Sequence, residues 1–312
     1  MPSRGADIVP PSLTEGPHPG DAHTMGDAGS RALGNPFGIW EAAFGLVVGF
    51  LLSIVASSLY SALAGGHPNE VGTDLAGFAG LWIGFAGSAI LASRSGGLAG
   101  SAGLATAGRG GGARSASGAG RMSREQSSAG AASATAAPSG RRSLADAYGW
   151  RIRLWPDVPL GIVIGVASQY LLVPLLELPL QPFVRNLNSQ LGHPAQQLLS
   201  PAQYNTASLV VLTILVCVGS PVVEELFFRG LLLRGLLGRF EGLGPRLGPA
   251  LAIVVTGFVF GLVHFEKLQF LGLAGFGMLL AYVAYRTGRL GPTIMAHIAF
   301  NTTTIIAFVL QH

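Results

Sequence analysis

Apolar residues along this chain come in long unbroken blocks rather than in alternation with polar ones. "AAFGLVVGFLLSIVASSLYSALA" at about 42–64 and "LAGFAGLWIGFAGSAILAS" at about 75–93 each reach the roughly 20 residues that a bilayer crossing requires. Further blocks fall at about 158–180, from Thr206 to about Gly238, and at about 249–265 and 268–285. A last one, "GPTIMAHIAFNTTTIIAFVL", carries Pro292 where a first helical turn tolerates it. The pattern predicts an all-α fold, a polytopic membrane helix bundle of about seven transmembrane helices. Gly45 and Gly49, Gly80 and Gly84, Gly161 and Gly165, and Gly257 and Gly261 each stand four apart, so each pair shares a helix face that permits close approach.

Composition supports lipid as the solvent. Of 312 residues 49% are hydrophobic and 11% charged, where a soluble domain carries about a quarter charged residues. The single Cys217 excludes an intrachain disulfide. A pI of 9.6 raises nucleic acid as a partner, but the arginines cluster beside apolar spans, as the positive-inside rule describes, so none is expected.

Residues 1–37 read as a disordered tail rich in Gly, Pro, Asp and Ser, without the layout of a signal peptide. Residues 38–93 form a transmembrane hairpin, 94–150 a disordered Arg/Gly/Ala-rich linker, and 151–312 the core. Nine arginines between Arg94 and Arg153 place the linker, and with it the N-terminus, in the cytoplasm of a multi-pass cell-membrane protein. Arg234, Arg239, Arg246, Arg286 and Arg289 mark later cytoplasmic returns, which leaves the C-terminus outside.

Against this background "SPVVEELFFRG", residues 220–230, stands out. Charges in hydrocarbon cost roughly 2.5–3.5 kcal/mol each, and a functional site is the default reading. Glu225 and Arg229 are four apart and can pair. Glu224 lies about 100° around the helix, with Phe228 rather than a cation four residues on, so its carboxylate is available. Reckoned at 1.5 Å per residue, Glu224 and His264 lie about 21 and 22 Å from the arginine-bearing side, and His297 and Asn301 share a face of the last helix. The four are expected to line one cavity open to the cytoplasm. Glu with His can deprotonate water, and a second His with an Asn amide can donate to an oxyanion. Singly, each histidine reads more readily as an interhelical hydrogen-bonding group than as a catalyst, and Asn301 as packing glue.

"EELFFR" (224–229), "FGLVH" (260–264) and "HIAFN" (297–301) match EExxxR, FxxxH and HxxxN in order. Over about 205–310 the chain thereby resembles the CPBP intramembrane proteases, which include the type II CAAX prenyl endopeptidases and Abi-like bacterial relatives linked to bacteriocin processing or immunity. The resemblance implies a hydrolase, an intramembrane endopeptidase acting on membrane-associated, CAAX-like substrates. It implies Glu224 as base, His264 as its partner on water, and His297 with Asn301 as the oxyanion pair. Glu225, Arg229 and Phe260 are implied as support. Membrane lipid and a peptide or membrane-anchored protein are the implied partners.

The family's description as metalloproteases leaves Zn2+ open, with Glu224, His264 and His297 as ligands. No HExxH presets two of them on one helix, and Asn301 suits a hydrogen-bonding His297, so the reading favours no required metal. Two other classes use the same residues: a non-catalytic immunity or scaffold protein that binds through them, and a proton-coupled transporter. No inverted repeat with paired broken helices accompanies the second.

Overall fold

The computed structural model describes residues 39–65, 67–107, 144–185, 187, 190, 196, 197, 199 and 205–311. The expected N-terminal tail and residues 108–143 of the expected linker lie outside these. The elements are helical throughout: α1 (Ile39–Leu63), α2 (Glu70–Ala107), α3 (Leu144–Tyr148), α4 (Leu154–Leu180), α5 (Thr206–Arg239), α6 (Leu247–Leu262), α7 (Phe270–Thr287) and α8 (Gly291–Gln311). Five of them, α1, the Glu70–Arg94 part of α2, α4, α5 and α7, are long and apolar enough to cross a membrane. With the shorter α6 and with α8 they make the seven rods that the apolar blocks outline.

Local chemistry sets the ends. Asn205 caps α5 by accepting from the Ala207 and Ser208 N–H groups at 3.0 and 3.3 Å. Gly288, at φ +66°, closes α7 in the left-handed cap that glycine adopts without penalty. One boundary needs correction. The linker was expected to begin at Arg94, yet helical backbone runs on to Ala107, and α3 adds a short helix at Leu144–Tyr148. Residues 95–107 are rich in Ala and Gly but contain no proline, so nothing in them stops a helix already under way.

The longest rods are not plain α-helices. α4 widens to a π turn at Ser168–Leu172 and α5 does so at Leu215–Gly219. Each π turn is followed two residues later by a proline, Pro174 and Pro221. A proline inside a helix has no N–H to give and crowds the preceding turn, and the wider turn accommodates it. α5 widens again over Leu226–Leu232, around Arg229.

Glycine pairs make the helix contacts. A Cβ on Gly84 would strike the Gly49 backbone, which fixes α1 against α2. One on Gly257 would strike Met278 and Ala274, joining α6 to α7. One on Gly165 would strike the Ala296 carbonyl, joining α4 to α8. All four glycine pairs read from the sequence lie at such contacts. The hairpin then docks on the core by stacking Phe85 of α2 on Phe227 of α5, with ring centroids 4.2 Å apart.

We expect Gly165→Ala to lower the unfolding midpoint in detergent, at a cost of about 1–3 kcal/mol for the enforced overpacking. Gly87→Ala is the control, since a Cβ there meets nothing within 4 Å. Equal midpoints for the two variants would refute the close-packing role.

Candidate active site

Three helices, α5, α6 and α8, deliver the polar residues that the sequence singled out. Glu224 and Glu225 lie on α5 between its first and second π turns, and His297 and Asn301 lie on α8. His264 follows the last turn of α6, and Phe265 after it takes φ +56°. That left-handed conformation is strained for a bulky residue and occurs preferentially at functional sites. α7 contributes Phe276 and a backbone carbonyl.

The two adjacent carboxylates have different surroundings. Glu225 is fully buried and accepts from Arg229 Nη1 at 2.6 Å and from His297 Nδ1 at 2.9 Å. Arg229, equally buried, donates through Nη2 to the Gly277 carbonyl of α7 at 3.0 Å, and its guanidinium lies 4.5 Å from the centre of the Phe260 ring. One ion pair therefore ties α5 to α7 and α8, with an aromatic face closing it off. Phe260 also meets the His264 and His297 rings, at 4.7 and 5.6 Å between centroids.

Glu224 points the other way. Its Oε2 is buried without a hydrogen-bond partner among the described residues, 4.0 Å from His264 Nε2 and 3.9 Å from His297 Nε2. The far nitrogens of both rings are committed. His264 Nδ1 donates to the Phe260 carbonyl at 2.6 Å, and His297 Nδ1 to Glu225. Since a carbonyl and a carboxylate only accept, these bonds fix Nδ1 as the protonated nitrogen and turn both Nε2 atoms toward Glu224.

Asn301 is placed by a different logic. In α5 the Ser220 N–H bonds back to the Leu215 carbonyl, and Pro221 has no N–H. The Val216 carbonyl is thereby deprived of its helical donor, and Asn301 Nδ2 supplies one at 2.8 Å. One amide hydrogen of Asn301 is thus spent on the backbone, and the other remains available.

Glu224, His264, His297 and Asn301 line one cavity of about 240 Å³, with Val216 and Ser220 on its α5 wall. Its lining corrects one expectation. The cavity was placed on the arginine-bearing side, but it draws on Gln269, Leu273, Thr304 and Ile305, which belong to the opposite end of the bundle. Glu225, Phe228 and Arg229 fill the arginine side. A depth of about 21–22 Å in a core about 30 Å thick already lies nearer the far face.

Ligands at the 2.0–2.1 Å of tetrahedral zinc stand about 3.3 Å from one another, closer than the 3.9 and 4.0 Å found here. Among the described residues no group of three His, Cys, Asp or Glu is arranged to hold an ion. As placed, the set does not fit zinc. Two hydrogen bonds of about 2.8 Å meeting at about 90° span about 4 Å, so the separation suits a shared water.

Sequence reasoning missed three features nearby. Asp157, fully buried, makes a two-pronged ion pair with Arg289 at 2.8 and 2.9 Å, tying the start of α4 to the α7–α8 turn. Arg234 donates to the Ala147 and Gly288 carbonyls. Glu177 is buried within α4, where the hydrocarbon-cost argument applied to Glu224 would have flagged it.

Residues 206–303 match the family model of type II CAAX prenyl endopeptidase Rce1-like proteins. No curated protein and no solved structure matches the chain. The match spans all three motifs and bears out the resemblance on which they were read.

Proposed function

We propose, on the premise that residues 206–303 belong to the Rce1-like type II CAAX prenyl endopeptidase family, that this multi-pass membrane protein hydrolyses peptide bonds of membrane-associated substrates. The carrying observation is the unpartnered Glu224 Oε2 facing two histidine Nε2 atoms across a water-sized gap. A water there gives one O–H to Glu224 and the other to His264 Nε2. Glu224 takes the proton as the water oxygen attacks the scissile carbonyl carbon. The negative charge that develops on the carbonyl oxygen is met by the free Asn301 N–H and by His297 Nε2 when that ring carries its second proton. On collapse the C–N bond breaks, and the proton held by Glu224 passes to the leaving amine. Glu225 and Arg229 touch no substrate in this scheme; they hold His297.

The decisive experiment is hydrolysis of a quenched fluorogenic peptide by purified protein in detergent, with and without a C-terminal CAAX sequence. Cleavage that Glu224→Gln abolishes supports the proposal. Tight binding without cleavage would favour the immunity or scaffold reading instead. Full activity in preparations shown metal-free by elemental analysis is expected. Activity lost to a chelator and restored by stoichiometric zinc would overturn the water-only mechanism while leaving the protease reading standing.

The same proposal sets the membrane orientation. With the arginine end cytoplasmic, the cavity faces the outside. In a Cys217→Ala background, an impermeant thiol reagent applied from outside should modify Gln190→Cys and spare Ser115→Cys and Glu241→Cys. The reverse pattern would invert the topology.

A further inference from the structure

Beside the candidate site lies a second cavity of about 600 Å³. It shares Gln269, Leu273, Phe300 and Thr304 with the first, so the two adjoin. Its walls are largely apolar, with Tyr170, Leu171 and Leu175 from α4. Two lining residues do not suit that character. Glu177, 4% exposed, packs its Oε1 against Gly272 without a hydrogen-bond partner among the described residues, and the Gln169 side-chain oxygen is likewise buried and unpartnered.

The fold adds a further acceptor at Gln169. The π turn directs the Val173 N–H to the Ser168 carbonyl, and Pro174 has no N–H. The Gln169 main-chain carbonyl is therefore deprived of its helical donor, as Val216 is in α5, where Asn301 makes good the loss. A carboxylate and an amide oxygen buried without donors are costly in an apolar setting. Wide π turns frequently mark functional sites. What the Glu177 Oε1 and the Gln169 side-chain oxygen lack among the described residues is a hydrogen-bond donor, best a cationic one.

We propose that this cavity is a specificity pocket for a basic side chain of the substrate, a lysine or arginine close to the scissile bond, whose ammonium or guanidinium is received by Glu177 and Gln169. The proposal rests on the reading of the Glu224 cavity as the cleavage site, because the wall shared with it makes the neighbouring pocket a place for a flanking residue. The apolar walls take the aliphatic stem, as long basic side chains bury theirs.

The test separates binding from cleavage. The probes are two fluorescently labelled apolar decapeptides that differ only in one central residue, lysine or norleucine. Their binding to Glu224→Gln protein in detergent is read by anisotropy, so no turnover is needed. The lysine peptide should bind about tenfold tighter, as one charge-assisted hydrogen bond in an apolar site implies. Adding Glu177→Gln should erase that advantage and leave the norleucine peptide unchanged. In Glu224-intact protein the same substitution should remove the preference for lysine peptides in kcat/KM without abolishing cleavage of norleucine ones. Equal binding of the two peptides to Glu224→Gln protein overturns the proposal without any change at Glu177. So does a lysine preference that survives Glu177→Gln. Selective retention of phosphatidylethanolamine by the protein, lost in Glu177→Gln, would assign the pocket to a lipid amine and also overturn it. A protein that cleaves nothing yet prefers the lysine peptide would fail the protease reading alone.

Discussion

Glu224→Gln is expected to reduce peptide hydrolysis by about 10²–10⁴-fold, the range that a positioned acid–base group contributes, while expression and unfolding midpoint stay at wild-type values. The substitution is nearly isosteric, and Glu224 Oε2 has no hydrogen-bond partner to lose among the described residues. What it loses is the ability to take a proton from water and return it to the leaving amine. His264→Ala should cost activity similarly, since His264 Nε2 faces the same oxygen at 4.0 Å and is partly exposed to the cavity. Asn301→Ala should cost less in chemistry and more in structure, because it deprives the Val216 carbonyl of its donor at 2.8 Å. The informative comparison is kcat against midpoint across the three. Wild-type turnover by Glu224→Gln would remove Glu224 from the mechanism and leave the cluster without a base.

Much of this was legible in the sequence because the bilayer simplifies the problem. Unbroken apolar blocks have one helical solution in lipid, and glycines four apart name the faces that touch. Charges within those blocks were informative because each is expensive, which is how Glu224, Glu225, Arg229, His264, His297 and Asn301 came to be singled out. What the sequence concealed was the geometry that departs from an ideal helix. The π turns before Pro174 and Pro221 are created by prolines visible in the chain, but where the freed carbonyls find donors depends on a neighbouring helix. Asn301 consequently appeared as an oxyanion donor or as packing glue, with nothing to say that half of its amide serves Val216. The side on which the cavity lies was misread because depth was measured from one face alone. His264 was taken as helical, whereas it stands just past Leu262, where a turn can aim its Nε2 at α5.

Arg229→Ala is expected to have the largest effect on stability, about 3–5 kcal/mol, the usual cost of stranding one member of a buried pair. The guanidinium is fully buried and neutralises Glu225 at 2.6 Å, bonds the Gly277 carbonyl at 3.0 Å and lies against Phe260. Its removal leaves a buried carboxylate that still accepts from His297 but has lost its paired cation, and an unfilled space between α5 and α7. Arg229→Lys should recover little, because one ammonium cannot reproduce a planar fork that serves a carboxylate and a carbonyl together. The sharper test is the double variant Glu225→Leu with Arg229→Met. Replacing both members by apolar groups of similar volume is often neutral or stabilising, so the unfolding midpoint should return most of the way to wild type. Hydrolysis should not return with it. Glu225 also accepts from His297 Nδ1 at 2.9 Å, and without that bond nothing fixes which ring nitrogen carries the proton or holds Nε2 toward Glu224. Recovery of stability without activity would show that the pair is kept for the orientation of His297. Recovery of both would reduce the EExxxR motif to packing, and an unchanged midpoint in Arg229→Ala would refute the structural role of the pair altogether.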